Sequence, residues 1–195
     1  MDLTPARREI VTERLLLQAG DASLADSLAD FYRRNRRHFA PWDPPTAESF
    51  YTAPAQAERV RLGLKAFAEG TGFRYWLSPA DDPQRVIGSV HFSQVSRGAF
   101  HSCVLGYALD ERCQGRGLMH EALSAAIEEM FSPLVNLHRI QAAYRPENKR
   151  SGAVLSRLGF RIEGLAKDYL FIDGAWRDHQ LTALTNPTFN EPADW

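Results

Sequence analysis

Cysteine is scarce in this sequence, and long apolar runs, internal repeats and low-complexity tracts are missing from it. The 195 residues include two cysteines, Cys103 and Cys113, whose positions do not match the spacing of metal ligands. We therefore expect free thiols, a reducing compartment and no metal site. No apolar stretch approaches the length of a membrane span and no signal peptide opens the chain, so a cytoplasmic protein without membrane contact is expected.

The sequence also lacks an excess of charge of either sign. Lys and Arg number 23 against 24 Asp and Glu, and a net charge of -1 gives no general attraction to nucleic acid. A local basic run from Arg33 to Arg37 suits either RNA contact or a solvated helix end. The second interpretation is favoured because no aromatic residues alternate with these arginines.

The hydrophobic pattern predicts one mixed α/β domain over residues 1–195, and 44% apolar residues suffice for its core. Apolar runs predict strands at residues 10–19, 73–78, 86–95, 103–109, 138–144, 160–172 and 176–184. Three-and-four spacing predicts helices at 22–32, at 55–68, from 118 to about 130, and just before Gly159. The segment from His38 to Pro54 is rich in proline and aromatic residues; such a loop often lines a cleft, although Trp42 is equally suited to packing on the core.

The most informative stretch is Arg112-Cys-Gln-Gly-Arg-Gly-Leu-Met119, where a predicted strand turns into a predicted helix. A helix start presents backbone N–H groups without partners, and Gly115 and Gly117 let an anion approach them closely. The spacing excludes a Walker loop, and a dinucleotide-binding fingerprint would need a small residue at His120. The stretch therefore favours a phosphate or pyrophosphate cradle, with a simple tight turn as the alternative.

Together with the order of elements, two motifs resemble the GNAT superfamily of acetyl-CoA-dependent N-acetyltransferases. Arg112-x-x-Gly115-x-Gly117 is similar to the pyrophosphate loop of that family. Asn148, Ser151 and Leu158-Gly159-Phe160 resemble its second CoA-binding segment. The resemblance implies a central, mostly antiparallel sheet of about seven strands, splayed between the fourth and fifth, with about four flanking helices.

Further segments resemble one group within the superfamily, the RimJ-type ribosomal-protein-alanine N-acetyltransferases. These segments are Phe39-x-Pro-Trp42, Gly115-x-Gly-Leu-Met119, Asn148-Lys-Arg-Ser-Gly152, Lys167-Asp-Tyr-Leu170 and Asp173-Gly-x-Trp-Arg-Asp-His179. The resemblance therefore covers nearly the whole chain and implies acetyl-CoA as co-substrate.

The resemblance also implies where CoA would bind. Its pyrophosphate would be held by the backbone of six consecutive residues: Gln114, Gly115, Arg116, Gly117, Leu118 and Met119. The edge of residues 105–109, ending at Leu109, would pair with the pantetheine arm, and Asn148 would bond that arm from the other side. Candidate partners for the phosphates, or else solvated surface cations, are Arg112, Arg116, Lys149 and Arg150.

The chemistry implied by the resemblance is direct attack of an amine on the thioester, in the gap between the strands that carry Leu109 and Tyr144. A free α-amino group has a pKa of about 7.7 to 8.0, so a strong enzymatic base is not indispensable. A strand N–H near Leu109 would stabilise the oxyanion, and Ser151 would protonate the departing thiolate unless it only caps its helix. Many relatives place a tyrosine for this role where this sequence has Leu155, and Tyr107 and Tyr144 are interpreted as packing residues.

For the residue that orients or deprotonates the amine, we favour Asp168, on a strand expected to border the cleft. His101 and Glu163 are the next candidates. Asp168 would lose this role if it paired with Arg177 across the hairpin, and His101 would lose it as a satisfied core or strand-end histidine.

The implied activity is acetylation of a protein N-terminus, most simply the N-terminal alanine of a ribosomal protein, with possible contact to the ribosome or pre-ribosome. One alternative is acetylation of a small amine such as an aminoglycoside or polyamine, which would favour an enclosed acidic pocket. A second alternative is a CoA-binding ribosome-assembly factor without catalysis, which would use residues 33–37 to contact RNA.

Overall fold

The computed structural model describes residues 6–191, which form an open eight-stranded sheet with five α-helices. The strands are β1 Glu9–Val11, β2 Leu15–Gln18, β3 Phe73–Pro79, β4 Gly88–Ser96, β5 Ser102–Leu109, β6 Arg139–Tyr144, β7 Arg161–Ile172 and β8 Ala175–Thr185. The helices are α1 Ala25–Arg34, α2 Arg36–Phe39, α3 Ala53–Ala68, α4 Leu118–Phe131 and α5 Lys149–Arg157. The predicted domain, residues 1–195, includes chain ends that lie outside the described residues. Between residues 6 and 191, no helix is both long and apolar enough to cross a membrane.

The strands lie side by side in the order β1-β2-β3-β4-β5-β6-β8-β7, and all neighbours are antiparallel except β5 and β6. Parallel pairing joins residues 102–105 of β5 to residues 139–142 of β6 and then stops. Because β5 continues to Leu109 and β6 to Tyr144, the two strands separate beyond this point. The mixed α/β fold and the predicted splay are thus confirmed.

The numbers of strands and helices each exceed the sequence expectation by one. Residues 10–19, expected to form one strand, form the β1–β2 hairpin. A polar turn interrupts the apolar pattern there, because the Leu15 N–H donates to Thr12 Oγ1 at 3.1 Å and the Thr12 N–H donates to the Leu15 carbonyl at 2.9 Å. The additional helix is α2, a single turn in a region that the sequence pattern assigns to a helix end and a loop.

Alternating residues of β3 face two apolar clusters on opposite sides of the sheet. Phe73, Tyr75 and Leu77 belong to the cluster that includes the apolar face of α4. Trp76 belongs to the cluster formed with α1 and α2. Helices therefore cover both faces of the sheet, and the strands of the sheet, including β5 and β6, lie between two layers of helices.

Both cysteines are buried free thiols, as the sequence predicts. Cys103 lies in β5 and Cys113 just beyond it, both within the larger apolar cluster. Burial raises the pKa of Cys103 to about 12, so its thiol stays protonated. Neither cysteine lines the cavity described below, and a protonated thiol is a poor nucleophile.

An ion pair ties α1 to the end of β5. Arg34 Nε donates to Asp110 Oδ2 at 2.6 Å, and Arg34 Nη2 donates to the Val86 carbonyl at 2.6 Å. Burial alone would raise the pKa of Asp110, but hydrogen bonds from Arg34, the Arg112 N–H and Asn35 outweigh burial and lower that pKa. Because Asp110 directly precedes the glycine-containing turn, this pair fixes where the turn begins.

We expect Arg34→Ala to lower the free energy of unfolding by about 3 kcal/mol, because it leaves the 2% exposed Asp110 carboxylate without its ion-pair partner. Urea unfolding followed by circular dichroism at pH 7 measures this change. The stabilisation from a lowered pKa is present above the unfolded value of about 3.9 and is lost as pH falls through the folded pKa, so wild type and variant should converge in acid. The matched control is Arg33→Ala at a neighbouring exposed position, and an equal loss in both variants would contradict the ion pair.

Candidate active site

An open cavity of about 950 Å³ lies at the point where β5 and β6 separate. The turn before α4, the first turn of α5 and the segment that ends α2 all contribute to its lining. Eight of the ten predicted cofactor-binding residues line it: Leu109, Gln114, Gly115, Gly117, Leu118, Met119, Asn148 and Ser151. The fold thus brings together predicted cofactor-binding residues that are up to 42 positions apart in the chain, counted from Leu109 to Ser151.

The turn before α4 depends on two glycines with left-handed backbone. Gly115 has a φ of 74° and Gly117 a φ of 77°, which residues with a side chain rarely adopt. Gly117 is the N-cap of α4 and has no side chain to bond the amides of the first helical turn. The N–H groups at the start of α4 are therefore available to an anion in the cavity.

Glu121 in the first turn of α4 would repel such an anion, but Arg14 neutralises it from the β1–β2 turn. The Arg14 guanidinium lies 2.6 Å from Glu121 Oε2 and donates to the Arg116 carbonyl at 2.9 Å. Thr12 Oγ1 donates to Glu121 Oε1 at 2.6 Å. Burial raises the pKa of Glu121, but the hydrogen bonds from Thr12 and Arg14 outweigh it and lower that pKa. Sequence analysis missed Arg14 because it lies 107 positions from Glu121.

The structure divides the predicted phosphate partners into two pairs. Arg112 and Arg116 are exposed and do not line the cavity, so their assignment receives no support from the geometry. Lys149 and Arg150, at the start of α5, do line it. Arg150 Nη1 donates to Gln114 Oε1 at 2.7 Å, which connects α5 to the glycine turn. A cationic group is thereby held beside the uncapped amides.

Ser151 forms a hydrogen bond with a tyrosine in the cavity. Ser151 Oγ lies 2.6 Å from Tyr107 Oη, and Tyr107 also donates to the Ser151 carbonyl at 3.3 Å. Burial raises the pKa of Tyr107 to about 12, although the hydrogen bond to Ser151 lowers it, so the phenol is protonated at neutral pH. The Tyr107 ring packs against the larger apolar cluster, as the sequence suggests, but its hydroxyl also belongs to a pair that the sequence did not reveal.

Asn148 rather than Ser151 is the N-cap of α5. Asn148 Oδ1 accepts a hydrogen bond from the Ser151 N–H at 3.1 Å. The alternative that Ser151 only caps its helix is therefore wrong, and its hydroxyl is committed to Tyr107 instead. Leu155, where many relatives have a tyrosine, is 1% exposed in the apolar core, so that position offers no hydroxyl.

Asp168 does not line the cavity, and the expectation that its strand borders the cleft is wrong. The physical reason is the strand order, because β8 lies between β6 and β7 and leaves β7 at the outer edge of the sheet. Asp168 is exposed on a bulge with a φ of 47°, and its N–H donates to Asp178 Oδ1 at 3.1 Å. It does not pair with Arg177, whose guanidinium lies 3.4 Å from Asp173 instead. Its role as a base stays a prediction without support from this geometry.

The two reserve candidates for a base also lie outside the cavity lining. Glu163 forms an ion pair with Arg139 at the start of β6. His101 is buried just before β5, where its ring lies 5.3 Å from that of Phe189. His101 therefore matches the alternative of a histidine satisfied at a strand end.

The segment after α2 contributes cavity residues that sequence analysis placed only in a cleft-lining loop. His38, Trp42 and Asp43 all line the cavity. His38 Nε2 lies 2.8 Å from Gln114 Nε2, which links this segment to the glycine turn. The proline and aromatic content of the loop was the available signal, and it could not single out Asp43.

The family model described as "Acetyltransferase (GNAT) domain" matches residues 14–161 of this chain. The chain belongs to the GNAT family of acetyltransferases. All residues that line the cavity, from Arg14 to Arg157, lie within the matched range.

Individual GNAT relatives resemble the chain over almost its full length. This chain is 48% identical to the [ribosomal protein uS5]-alanine N-acetyltransferase of Escherichia coli (strain K12). The aligned 178 residues make up 91% of each chain. The crystal structure of ribosomal-protein-S5-alanine acetyltransferase from Vibrio fischeri superposes with a TM-score of 0.89 at 36% identity, covering 94% of this chain and 99% of that one. Mycobacterium smegmatis RimJ in complex with CoA-disulfide gives a TM-score of 0.83 at 30% identity, covering 92% and 85%.

As a GNAT enzyme, this chain is an acetyl-CoA-dependent N-acetyltransferase, and acetyl-CoA is its co-substrate. Two features of the cavity suit that molecule. The uncapped amides after Gly117 suit a pyrophosphate, and the edge of β5 beyond Leu105 lacks a strand partner on the β6 side, which suits the amides of a pantetheine arm. The GNAT interpretation of the glycine turn is therefore supported by geometry as well as by similarity.

Proposed function

We propose that this acetyltransferase modifies the N-terminal α-amino group of a ribosomal protein, with the N-terminal alanine of uS5 as its acceptor. The 48% identity to the Escherichia coli uS5-alanine enzyme over 91% of both chains supports this acceptor. The observation that carries the proposal is a single cavity lined both by the glycine turn and by the segment after α2. A thioester held from one side can meet an amine that enters from the other.

The proposed reaction is direct attack of the neutral amine on the thioester carbonyl. Since the α-amino pKa of about 7.7 to 8.0 leaves part of the amine neutral at pH 7, positioning supplies much of the acceleration. The backbone near Leu109 would stabilise the oxyanion, and the paired hydroxyls of Ser151 and Tyr107 would supply a proton to the departing thiolate. Both cysteines are buried outside the cavity lining, which agrees with a reaction without an acyl-enzyme.

We also infer contact with the ribosome or a pre-ribosome, and a cytoplasmic location, because the proposed acceptor is a ribosomal protein. The basic run at residues 33–37 adds little to this inference. Arg34 pairs with Asp110 and Arg36 pairs with Glu48, so two of its four arginines are engaged within the protein.

The proposal predicts acetylation of a peptide that carries the first ten residues of uS5 beginning at alanine. Incubation with acetyl-CoA should release free CoA thiol and add one acetyl group to the α-amine, as measured by a thiol reagent and by mass spectrometry. A matched peptide with a blocked N-terminus should remain unmodified even if it contains lysine, because a lysine amine with a pKa near 10.4 is almost fully protonated at pH 7.

Two other results would overturn the proposed acceptor. Turnover of a polyamine or aminoglycoside without turnover of any free-N-terminal peptide would indicate a small-amine enzyme. Tight CoA binding without turnover of peptides or small amines would favour the non-catalytic assembly factor.

A further inference from the structure

Asp43 is a carboxylate that lines the active-site cavity and forms no side-chain hydrogen bond or ion pair among the described residues. We propose that Asp43 binds the α-ammonium group of the acceptor and removes its proton before attack. This inference rests on the proposed function and assigns to Asp43 the role that sequence analysis gave to Asp168. The segment that carries Asp43 would thus form the amine-binding end of the cavity.

The backbone around Asp43 is held from two sides. The Asp43 N–H donates to the Phe39 carbonyl at 3.0 Å and the Trp42 N–H donates to the same carbonyl at 2.8 Å, so the end of α2 fixes the turn. From beyond β6, Arg145 donates to the Pro41 carbonyl and places its guanidinium 5.5 Å from the centre of the Trp42 ring. The carboxylate therefore lies on an anchored turn, which suits the binding of a single amino group.

A fixed positive charge lies near Asp43 without forming an ion pair with it. The Arg59 guanidinium lies 5.0 Å from the ring centre of Tyr32, 5.1 Å from that of Phe50 and 5.4 Å from that of Trp76. These rings hold the cation in place. Arg59 therefore affects Asp43 through space while leaving both carboxylate oxygens free for an incoming ammonium group.

The acid–base behaviour of Asp43 suits this role. Desolvation by the surrounding protein raises the pKa of Asp43 to about 6, and the positive charge of Arg59 partly opposes this rise. Asp43 is exposed to solvent within the open cavity, so its carboxylate can meet both water and substrate. At pH 7 the carboxylate is mostly ionised and can bind a cation, yet it is more basic than an ordinary aspartate.

Other titratable or charged groups line the cavity or contact the turn that carries Asp43, and they come from several elements. They are Arg14 after β1, His38 of α2, Arg59 of α3, Tyr107 of β5, His120 and Glu121 of α4, Arg145 and Glu147 after β6, and Lys149, Arg150 and Arg157 of α5. Arg145 is engaged with Pro41 and Glu147, and Tyr107 with Ser151. Of the carboxylates that line the cavity, Glu121 and Glu147 form ion pairs with arginines, whereas Asp43 forms none within residues 6–191.

The protons balance in the proposed sequence. Asp43 takes one proton from the ammonium group, and the neutral nitrogen then forms a bond to the thioester carbon. As the C–S bond breaks, the nitrogen gives its second proton to the paired hydroxyls of Ser151 and Tyr107, which pass a proton on to the departing CoA thiolate. Asp43 returns its proton to water, so the net products are the amide, CoA thiol and one released proton.

The test compares Asp43→Asn with Asp81→Asn, which removes the same charge from the exposed turn between β3 and β4. We expect Asp43→Asn to lower kcat/KM for the uS5 peptide about 10- to 100-fold at pH 7, the range for losing a hydrogen bond to a charged group. The Kd for acetyl-CoA should stay within about twofold. Asp81→Asn should match the wild type, and Asp43→Glu should recover part of the activity.

The pH profile separates a proton-accepting role from a structural one. In the wild type, kcat/KM should fall below about pH 6 as Asp43 becomes protonated, whereas in Asp43→Asn the acidic limb should move to the amine pKa near 8. Unchanged kcat/KM and an unchanged acidic limb in Asp43→Asn would overturn the assignment. If the wild type acetylates only a small amine, the proposed acceptor fails, and the same variants assayed with that amine decide the role of Asp43. Absence of turnover with every amine would overturn both proposals.

Discussion

Gly117→Glu is expected to weaken acetyl-CoA binding at least about 100-fold, with the fold retained. The substitution places a carboxylate beside the uncapped amides of α4, where the pyrophosphate of CoA would otherwise bind. Like charges in such a site cost several kcal/mol, and about 3 kcal/mol corresponds to this loss. Isothermal titration calorimetry with acetyl-CoA measures the change directly.

The matched control for Gly117→Glu is Gly174→Glu in the β7–β8 turn. Gly174 has a φ of 71° and open space around its Cα, so the control introduces the same charge and similar backbone strain away from the cavity. Gly117→Ala adds backbone strain without charge, because alanine rarely adopts a φ of 77°, whereas the contact of its Cβ with Arg14 Nη2 at 3.6 Å would be an ordinary one. Unaltered acetyl-CoA affinity in Gly117→Glu would refute the cradle.

Ser151→Ala is expected to lower kcat about 100-fold while leaving the Kd for acetyl-CoA nearly unchanged. The variant removes the hydroxyl that is paired at 2.6 Å with Tyr107 and would protonate the departing thiolate, and general acid catalysis typically contributes factors of this size. Pre-steady-state measurement of CoA release isolates the chemical step from product release. Ser156→Ala, at an exposed position on the same helix, should behave as wild type.

Tyr107→Phe tests whether the two hydroxyls act together. If Tyr107 holds and polarises Ser151, the double variant should be little slower than Ser151→Ala alone, because each change disables the same proton transfer. Losses that multiply in the double variant would show that the two hydroxyls act independently and would overturn the proposed pair. A Ser151→Ala rate equal to that of the wild type would remove Ser151 from the mechanism.

The glycine turn and the splay could be predicted because their determinants are local or carried by family motifs. Gly115 and Gly117 mark a strand-to-helix junction that needs left-handed backbone, and both lie in the cavity wall. Asn148 and Ser151 follow from the second motif, although the sequence alone did not tell which of them caps α5. The structure settles this point because only Asn148 bonds an amide of that helix turn with its side chain.

Asp168 was misplaced because the order of the strands in the sheet differs from their order in the sequence. The final hairpin could add to β6 through either of its strands, and β8 is the one that pairs. The position of Asp168 therefore depends on how the whole sheet packs. Asp43 and Arg14 were missed for a similar reason, since each lies beside cavity residues or an ion-pair partner far away in the sequence: Asp43 shares the cavity with residues 107–157, and Arg14 pairs with Glu121.

The unpaired edge of β5 has a consequence for the stability of the enzyme in the cell. Backbone groups at residues 106–109 have no neighbouring strand on the β6 side, so the empty enzyme lacks hydrogen bonds that a bound co-substrate can supply. A ligand that binds only the folded state at 100 times its Kd adds about 2.7 kcal/mol to the free energy of unfolding. The midpoint of thermal unfolding of this enzyme should therefore rise with the concentration of CoA.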